Sequence, residues 1–102
     1  MDKSTLKIIK ELRRFKESNN LNKVILFGSR IKNLHRRFSD IDLVIVSPHF
    51  EKLKSFKRAP TLRLKLKLDY PVDMLCYTPQ EFNKLKKQIT IVREAVKEGI
   101  EI

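Results

Sequence analysis

Two aspartates separated by a single residue, Asp40 and Asp42, stand at the start of an apolar run in the sequence. Side chains two residues apart in a β-strand point to the same face, so a strand here presents both carboxylates together. Neighbouring carboxylates repel each other unless a cation lies between them. Carboxylate oxygens are ligands of the kind that Mg²⁺ prefers. The spacing therefore predicts a magnesium site at the start of this strand.

A third carboxylate, Asp73, lies near the start of another apolar run, residues 72–77. If this run forms a strand beside the one that follows Asp40, Asp73 joins Asp40 and Asp42, and three carboxylates can hold two Mg²⁺ ions. Two such ions stabilise the attacking and leaving oxygens of a displacement at phosphorus. Asp69 is the rival for the third position, but it precedes the proline that enters the strand and is expected in the turn.

A glycine–serine pair ends the apolar run that precedes the two aspartates. Gly28 allows the backbone to approach a phosphate closely. The Ser29 hydroxyl and the amides of the following turn can donate hydrogen bonds to phosphate oxygens. The residues between Ser29 and Asp40 are rich in cations that are well placed for phosphates, namely Arg30, Lys32, Arg36 and Arg37. The segment thus predicts a site for a phosphorylated ligand next to the metal site.

These residues resemble the signature of the minimal nucleotidyltransferases of the DNA polymerase β superfamily. The most specific pieces are Leu26–Arg30 and Ser39–Leu43. A spacer of ten residues, 30–39, separates Ser29 from Asp40. That spacer matches the subgroup encoded with HEPN-domain partners as toxin–antitoxin pairs. The resemblance runs from Val24 to about Gly99. One departure follows the Gly-Ser-Arg, where many members have a small residue and a glycine and this chain has Ile31 and Asn33.

The resemblance implies a function and a set of roles. The chain would be an antitoxin-type nucleotidyltransferase that moves AMP from ATP, with Mg²⁺, to a hydroxyl of a HEPN-domain toxin. Preference for ATP over other nucleotides rests on analogy. Asp73 would help to deprotonate the acceptor. The implied catalytic and metal-binding residues are Asp40, Asp42 and Asp73, and the implied nucleotide-binding residues are Gly28, Ser29 and Arg30.

Composition and charge leave a second hypothesis open. The 102 residues, 41% hydrophobic and 34% charged, predict one folded domain spanning residues 1–102. A net charge of +11 attracts nucleotides, nucleic acid or an acidic protein. The alternative is therefore a non-catalytic module that binds nucleotide, RNA or a partner. The three carboxylates argue against it, since an inactive copy is free to lose them. One cysteine and no signal or membrane segment predict a cytoplasmic protein.

The pattern of apolar residues predicts an α/β fold with the element order α-β-α-β-α-β-α-α. The resemblance implies a polymerase β palm, a small mixed sheet with helices packed on one side. Residues 30–37 are expected to form a short helix. Strands are predicted at about residues 23–27, from Asp40 to Val46, and at 72–77, with a further short strand possible at 100–102. The first helix is predicted to bury an apolar stripe of Leu6, Ile8, Ile9, Leu12 and Phe15.

Two other helical regions are predicted, one from a clear helix start and one from an ambiguous pattern. Thr78, Pro79 and Glu81 form a strong helix start. The residues predicted to lie on the apolar faces of that helix and of the next are Phe82, Leu85, Ile89, Ile91, Val92, Ala95 and Val96, with Gly99 as the stop. Residues 49–69 are ambiguous, because leucines alternate with basic residues at the period of a strand but are good helix formers. A helix is favoured there, with Pro60 in its first turn and with the stacked pairs Leu62–Leu66 and Leu64–Leu68.

Overall fold

The computed structural model describes residues 3–28 and 41–102, which form a four-stranded mixed sheet with helices on it. The sheet order is β3-β2-β1-β4, with β1 antiparallel to β2 and β4, and β2 parallel to β3. The predicted fold class is confirmed, and the expected helix at residues 30–37 lies outside the described residues. The elements in chain order are α1 Lys3–Ser18, β1 Lys23–Phe27, β2 Ile41–Val46, a 3-10 helix Pro48–Lys52, α2 Ser55–Arg63, β3 Val72–Tyr77, α3 Pro79–Leu85, α4 Ile91–Glu98 and β4 Ile100–Glu101.

Helices pack on both faces of this sheet, so the expectation of helices on one side is wrong. One core cluster joins α1 and α2 to the face that carries Val24 and Leu43. A second cluster joins α3 and α4 to the face that carries Ile25 and Val44. The reason lies in the strands themselves, since β1 and β2 are apolar at nearly every position. A strand that is hydrophobic on both faces must be covered on both faces.

The apolar stripe of α1 is confirmed except at its first member. Ile8, Leu12 and Phe15 are fully buried, whereas Leu6 is 53% exposed. Thr5 takes the buried position at the start of the helix instead. Thr5 lies three and four positions before Ile8 and Ile9 and so falls on the same side of the helix as these buried residues, whereas Leu6 lies about 100° further round the axis.

The leucine run at residues 62–68 begins in α2 and is only partly helical. Pro60 lies inside α2 and not in its first turn, and the helix ends at Arg63. Leu62 and Leu66 are both buried in the core, but Leu64 is 93% exposed, so the predicted pair of Leu64 with Leu68 does not form. The Arg63 guanidinium donates to the carbonyls of Leu66 and of Tyr70, which holds the chain in a turn after the helix.

The predicted start of α3 is confirmed as a capping box. The Thr78 hydroxyl accepts from the Glu81 N–H at 3.2 Å, and the Glu81 carboxylate accepts from the Thr78 N–H at 2.7 Å. The helix nevertheless ends at Leu85, and Ile89 is 94% exposed, which corrects its assignment to the core.

In α4, only half of the predicted apolar residues are buried. Val92 and Ala95 are buried, but Ile91 is 53% and Val96 46% exposed. Gly99 ends this helix as predicted, and β4 follows and pairs with β1. Within the described ranges, the structure has no helix that is both long and apolar enough to span a membrane.

Candidate active site

The pairing of strands β2 and β3 places two of the predicted carboxylates side by side. Asp42 and Asp73 are register partners in these parallel strands, and Asp42 is also the partner of Phe27 at the end of antiparallel β1. Register partners on neighbouring strands lie about 5 Å apart and point to the same face. The starts of β2 and β3 and the end of β1 therefore meet at one edge, where the two carboxylates can act on one ligand.

Both carboxylates lie on the sheet face that α3 and α4 cover. Side chains alternate along a strand, and Val44 in β2 and Leu75 in β3, two residues on from each aspartate, belong to the core cluster of those helices. Asp42 is half-buried and Asp73 is exposed. A ligand can thus approach Asp73 from solvent and reach Asp42 beside it.

Gly28 is in direct contact with the Asp42 carboxylate. Its φ of +88° is a backbone conformation that residues with a side chain rarely adopt. A Cβ atom at this position would overlap Asp42 Oδ2. The sequence pointed to Gly28 for the approach of a phosphate. The structure adds a second reason for glycine, because the missing side chain leaves the space that the Asp42 carboxylate occupies.

Three predicted site residues, Ser29, Arg30 and Asp40, lie outside the described residues. Their roles stay predictions. In the part of the chain that is described, no group of three or more His, Cys, Asp or Glu side chains is placed to hold a metal ion. Asp40, the further carboxylate that the sequence predicts for this site, precedes β2 by one residue in the sequence.

Asp69, the rival for the third carboxylate, has a different position from Asp73. It is exposed in a bend of the loop between α2 and β3, and it has no register partner in the sheet. Asp73, inside β3, is instead fixed next to Asp42 by the ladder of backbone hydrogen bonds. The geometry favours Asp73.

The donor set suits a hard divalent cation. Asp42 and Asp73 offer only carboxylate oxygens, and one of them faces solvent, which leaves room for water and phosphate oxygens to complete an octahedral shell. Among the residues that the structure describes, neither Cys nor His lies at the starts of β2 and β3, so the ligands described there are not those that zinc prefers. The residues present fit Mg²⁺.

Arg58 is a buried cation that could not be identified from the sequence. The segment around it is rich in lysine and arginine, which is typical of a solvent-exposed surface. Arg58 is only 7% exposed. Its guanidinium donates to Glu81 Oε1 at 2.6 Å, to the Cys76 carbonyl at 3.2 Å and to the Leu53 carbonyl at 3.3 Å. These contacts join α2 to the end of β3 and the start of α3. They lie at the opposite end of β3 from Asp73, so Arg58 supports the fold and not the chemistry.

Cys76 is a partly buried free thiol that packs against the core cluster of α1 and α2. Burial raises its pKa to about 11, and the positive charge of Arg58 opposes this rise only in part. The thiol is therefore protonated at neutral pH and is a poor nucleophile. Cys76 does not compete with the carboxylates as a catalytic group.

Comparison with solved structures shows the fold. A candidate nucleotidyltransferase from Sulfolobus solfataricus, solved as a crystal structure, is similar with a TM-score of 0.60 and 21% identity, over 94% of this chain and 77% of that one. A toxin–antitoxin crystal structure with AMP-PNP is similar with a TM-score of 0.56 and 22% identity, over 90% of this chain and 69% of that one. A search among curated proteins finds no match.

Comparison with family models shows the family. The model of the nucleotidyltransferase domain matches residues 6–99, which include both strands that carry Asp42 and Asp73. Such domains typically use a nucleoside triphosphate and a divalent metal, in agreement with the donor set at the edge of the sheet. This chain belongs to the nucleotidyltransferase domain family.

Proposed function

We propose that this protein transfers AMP from ATP to a hydroxyl group of a protein partner. The observation that carries the proposal is the pairing of Asp42 with Asp73 at the starts of β2 and β3, against Gly28. Two carboxylates side by side on neighbouring strands can both bind one cation, which also reduces the repulsion between them. Membership of the nucleotidyltransferase domain family supports this reading.

In this proposal the predicted site residues have three roles, namely binding of the metal, binding of the phosphates and acceptance of a proton. Asp40, Asp42 and Asp73 would hold Mg²⁺, which supplies charge neutralisation for the triphosphate. Gly28, Ser29 and Arg30 would bind the phosphates. The acceptor oxygen attacks the α-phosphorus, the bond from that phosphorus to the bridging oxygen of the β-phosphate breaks, and pyrophosphate leaves. Asp73 is exposed and can receive the proton of the acceptor hydroxyl.

The partner we propose is a cytoplasmic HEPN-domain toxin that is encoded beside this chain. The spacer of ten residues between Ser29 and Asp40 supports this assignment, and so does the similarity in fold to a toxin–antitoxin structure with AMP-PNP. The chain has a net charge of +11, so a partner with an acidic surface would associate quickly. The acceptor is a tyrosine hydroxyl in this proposal.

Intact-mass spectrometry of the two proteins after incubation with ATP and Mg²⁺ tests the proposal. Each transferred AMP should add about 329 Da to the partner, the mass fixed by replacing one hydroxyl hydrogen. The Asp40→Asn/Asp42→Asn variant should transfer none. If the partner gains no mass and this variant still neutralises the toxin, the protein acts by binding and not by catalysis.

A second candidate, a module that binds RNA without catalysis, is favoured only by the net charge of +11. Binding that depends on charge alone falls steeply with salt, because counterion release supplies nearly all of its free energy. We expect RNA affinity to be lost at about 150 mM salt, the physiological range. Tight and sequence-selective RNA binding at that salt concentration would favour the second candidate.

A further inference from the structure

An exposed apolar surface lies on the helices that cover the face of the candidate site. Ile89, in the turn between α3 and α4, is 94% exposed, and Ile91, the first residue of α4, is 53% exposed. We call Ile89 and Ile91 the α3–α4 surface. Val92 and Ala95 of α4 are buried in the core cluster on this face of the sheet, whereas Ile89 and Ile91 leave apolar surface in contact with water.

The position of the α3–α4 surface connects it to the two aspartates. Helices α3 and α4 pack on the same sheet face to which Asp42 and Asp73 point. Val92 of α4 belongs to the same core cluster as Phe27, the register partner of Asp42. A protein that presents a hydroxyl group to Asp73 would approach the sheet face on which α3 and α4 also pack.

The charge around the α3–α4 surface indicates the kind of partner. Residues 84–98 contain five cations and only two carboxylates. A second copy of this chain, also strongly positive, would be repelled. Nucleic acid would be attracted to the cations, but the exposed aliphatic side chains provide no aromatic ring on which its bases could stack. An acidic protein surface with an apolar centre matches both the charge and the isoleucines.

We propose that the α3–α4 surface is the docking site for the acceptor protein, which binds it through an apolar patch ringed by carboxylates. This inference rests on the proposed transfer to a protein. It adds that substrate recognition is carried by residues outside the nucleotide site. Ile89 and Ile91 form the centre of the contact, and the surrounding lysines speed association and make it depend on salt.

The structure supplies a matched control on the other face of the sheet. Phe56 and Leu64, at α2, are 69% and 93% exposed and also lie among basic residues. The double variants Ile89→Asp/Ile91→Asp and Phe56→Asp/Leu64→Asp therefore make the same change of charge and remove similar apolar surface. Only the first pair lies on the face of Asp42 and Asp73. The conservative Ile89→Leu/Ile91→Leu variant keeps the apolar surface.

The experiment is isothermal titration of each variant with the neighbouring HEPN-domain protein. We expect Ile89→Asp/Ile91→Asp to weaken binding at least about tenfold, the scale of an interface hot spot. We expect the α2 variant and the leucine variant to stay within about twofold of wild type. Titration with Mg²⁺ and ATP should give the same affinity for all variants, because none of the changes touches Asp42 or Asp73.

The outcomes separate the two proposals. If wild type binds the partner and Ile89→Asp/Ile91→Asp binds equally well, the docking site is wrong whatever the transfer assay shows. If the variant loses binding but wild type transfers no AMP, the docking site stands and the proposed reaction fails. A wild-type protein that does not bind this partner overturns both. Sedimentation that shows a dimer dependent on Ile89 and Ile91 would assign the surface to self-association and also overturn the docking site.

Discussion

Asp42 and Asp73 are register partners in the parallel strands β2 and β3, and Gly28 lies against the Asp42 carboxylate. The two aspartates are 31 positions apart in the sequence, and the parallel pairing of their strands is what brings them together. The two aspartates and Gly28 form a candidate site for a cation and phosphates. This site can be tested without the partner, because metal and nucleotide binding can be measured on the protein alone.

The first prediction concerns the two carboxylates and their rival. Asp42→Asn and Asp73→Asn should each weaken Mg²⁺-dependent ATP binding by roughly 100-fold or more, since even the partners of metal ligands change metal affinity by about 10–100-fold. Asp69→Asn, an exposed carboxylate in the loop before β3, is the control and should bind as wild type does. Titration calorimetry with and without Mg²⁺ measures this. Loss of binding in Asp69→Asn, with Asp73→Asn unaffected, would reverse the assignment of the third carboxylate.

The second prediction concerns Gly28. In Gly28→Ala, the new methyl group displaces the Asp42 carboxylate, and the left-handed backbone costs about 1–2 kcal/mol of folding free energy. We expect Mg²⁺-dependent ATP binding to fall much more than this loss of stability explains. Gly99→Ala is the contrast, because its Cβ would lie 2.5 Å from the Ala95 carbonyl and 2.8 Å from the Leu26 carbonyl. It should lower the urea midpoint and leave nucleotide binding of the folded protein intact.

The third prediction concerns the buried arginine. Arg58→Ala leaves the carbonyls of Leu53 and Cys76 without their donor and removes the partner of Glu81. We expect a loss of about 2 kcal/mol or more in the free energy of unfolding, below the range for a fully buried pair because the Glu81 side chain is 44% exposed. Lys57→Ala, an exposed neighbour in α2, is the control. Equal urea midpoints for the two variants would contradict a structural role for Arg58.

The fourth prediction is a loss of stability in acid. Burial acts to raise the pKa of Glu81, but hydrogen bonds from the Thr78 N–H and from Arg58 outweigh it, so the pKa lies below its ordinary value of 4.5. The Arg14 side chain, hydrogen-bonded to Glu11, lowers the pKa of that carboxyl against the opposing effect of burial. Because the folded pKa is the lower one, these groups contribute their full stability above about pH 4.5 and lose it as the pH falls through the folded values.

Urea unfolding between pH 3 and pH 7 measures this dependence. The free energy of unfolding should be nearly level from neutral pH to about pH 5 and should decrease below the ordinary carboxyl pKa. Glu81→Gln should flatten the decrease, whereas Glu94→Gln, which alters an exposed carboxylate of α4, should not. A decrease that is identical in wild type and Glu81→Gln would show that this capping contact is not the source.

The local features of this protein follow from its amino-acid sequence alone. The bounds of β1 and β3 follow from short apolar runs between turn residues, and the capping box of α3 follows from the spacing of Thr78 and Glu81, because each depends on neighbours along the chain. Gly28, Asp42 and Asp73 could be selected by type and spacing alone. The roles of Ser29, Arg30 and Asp40 come from the sequence only and stay predictions.

Other features depend on contacts between elements that are distant in the sequence, and these follow only from the tertiary structure. The parallel register of β2 and β3 puts Asp73, and not Asp69, beside Asp42. Packing on both sheet faces left no place in the core for the side chains of Leu6, Leu64 and Ile89. Helical periodicity and composition identify the apolar and basic positions of the chain. They do not identify the element against which each side chain packs. Whether a leucine is buried or an arginine is paired is fixed by the element that packs against it.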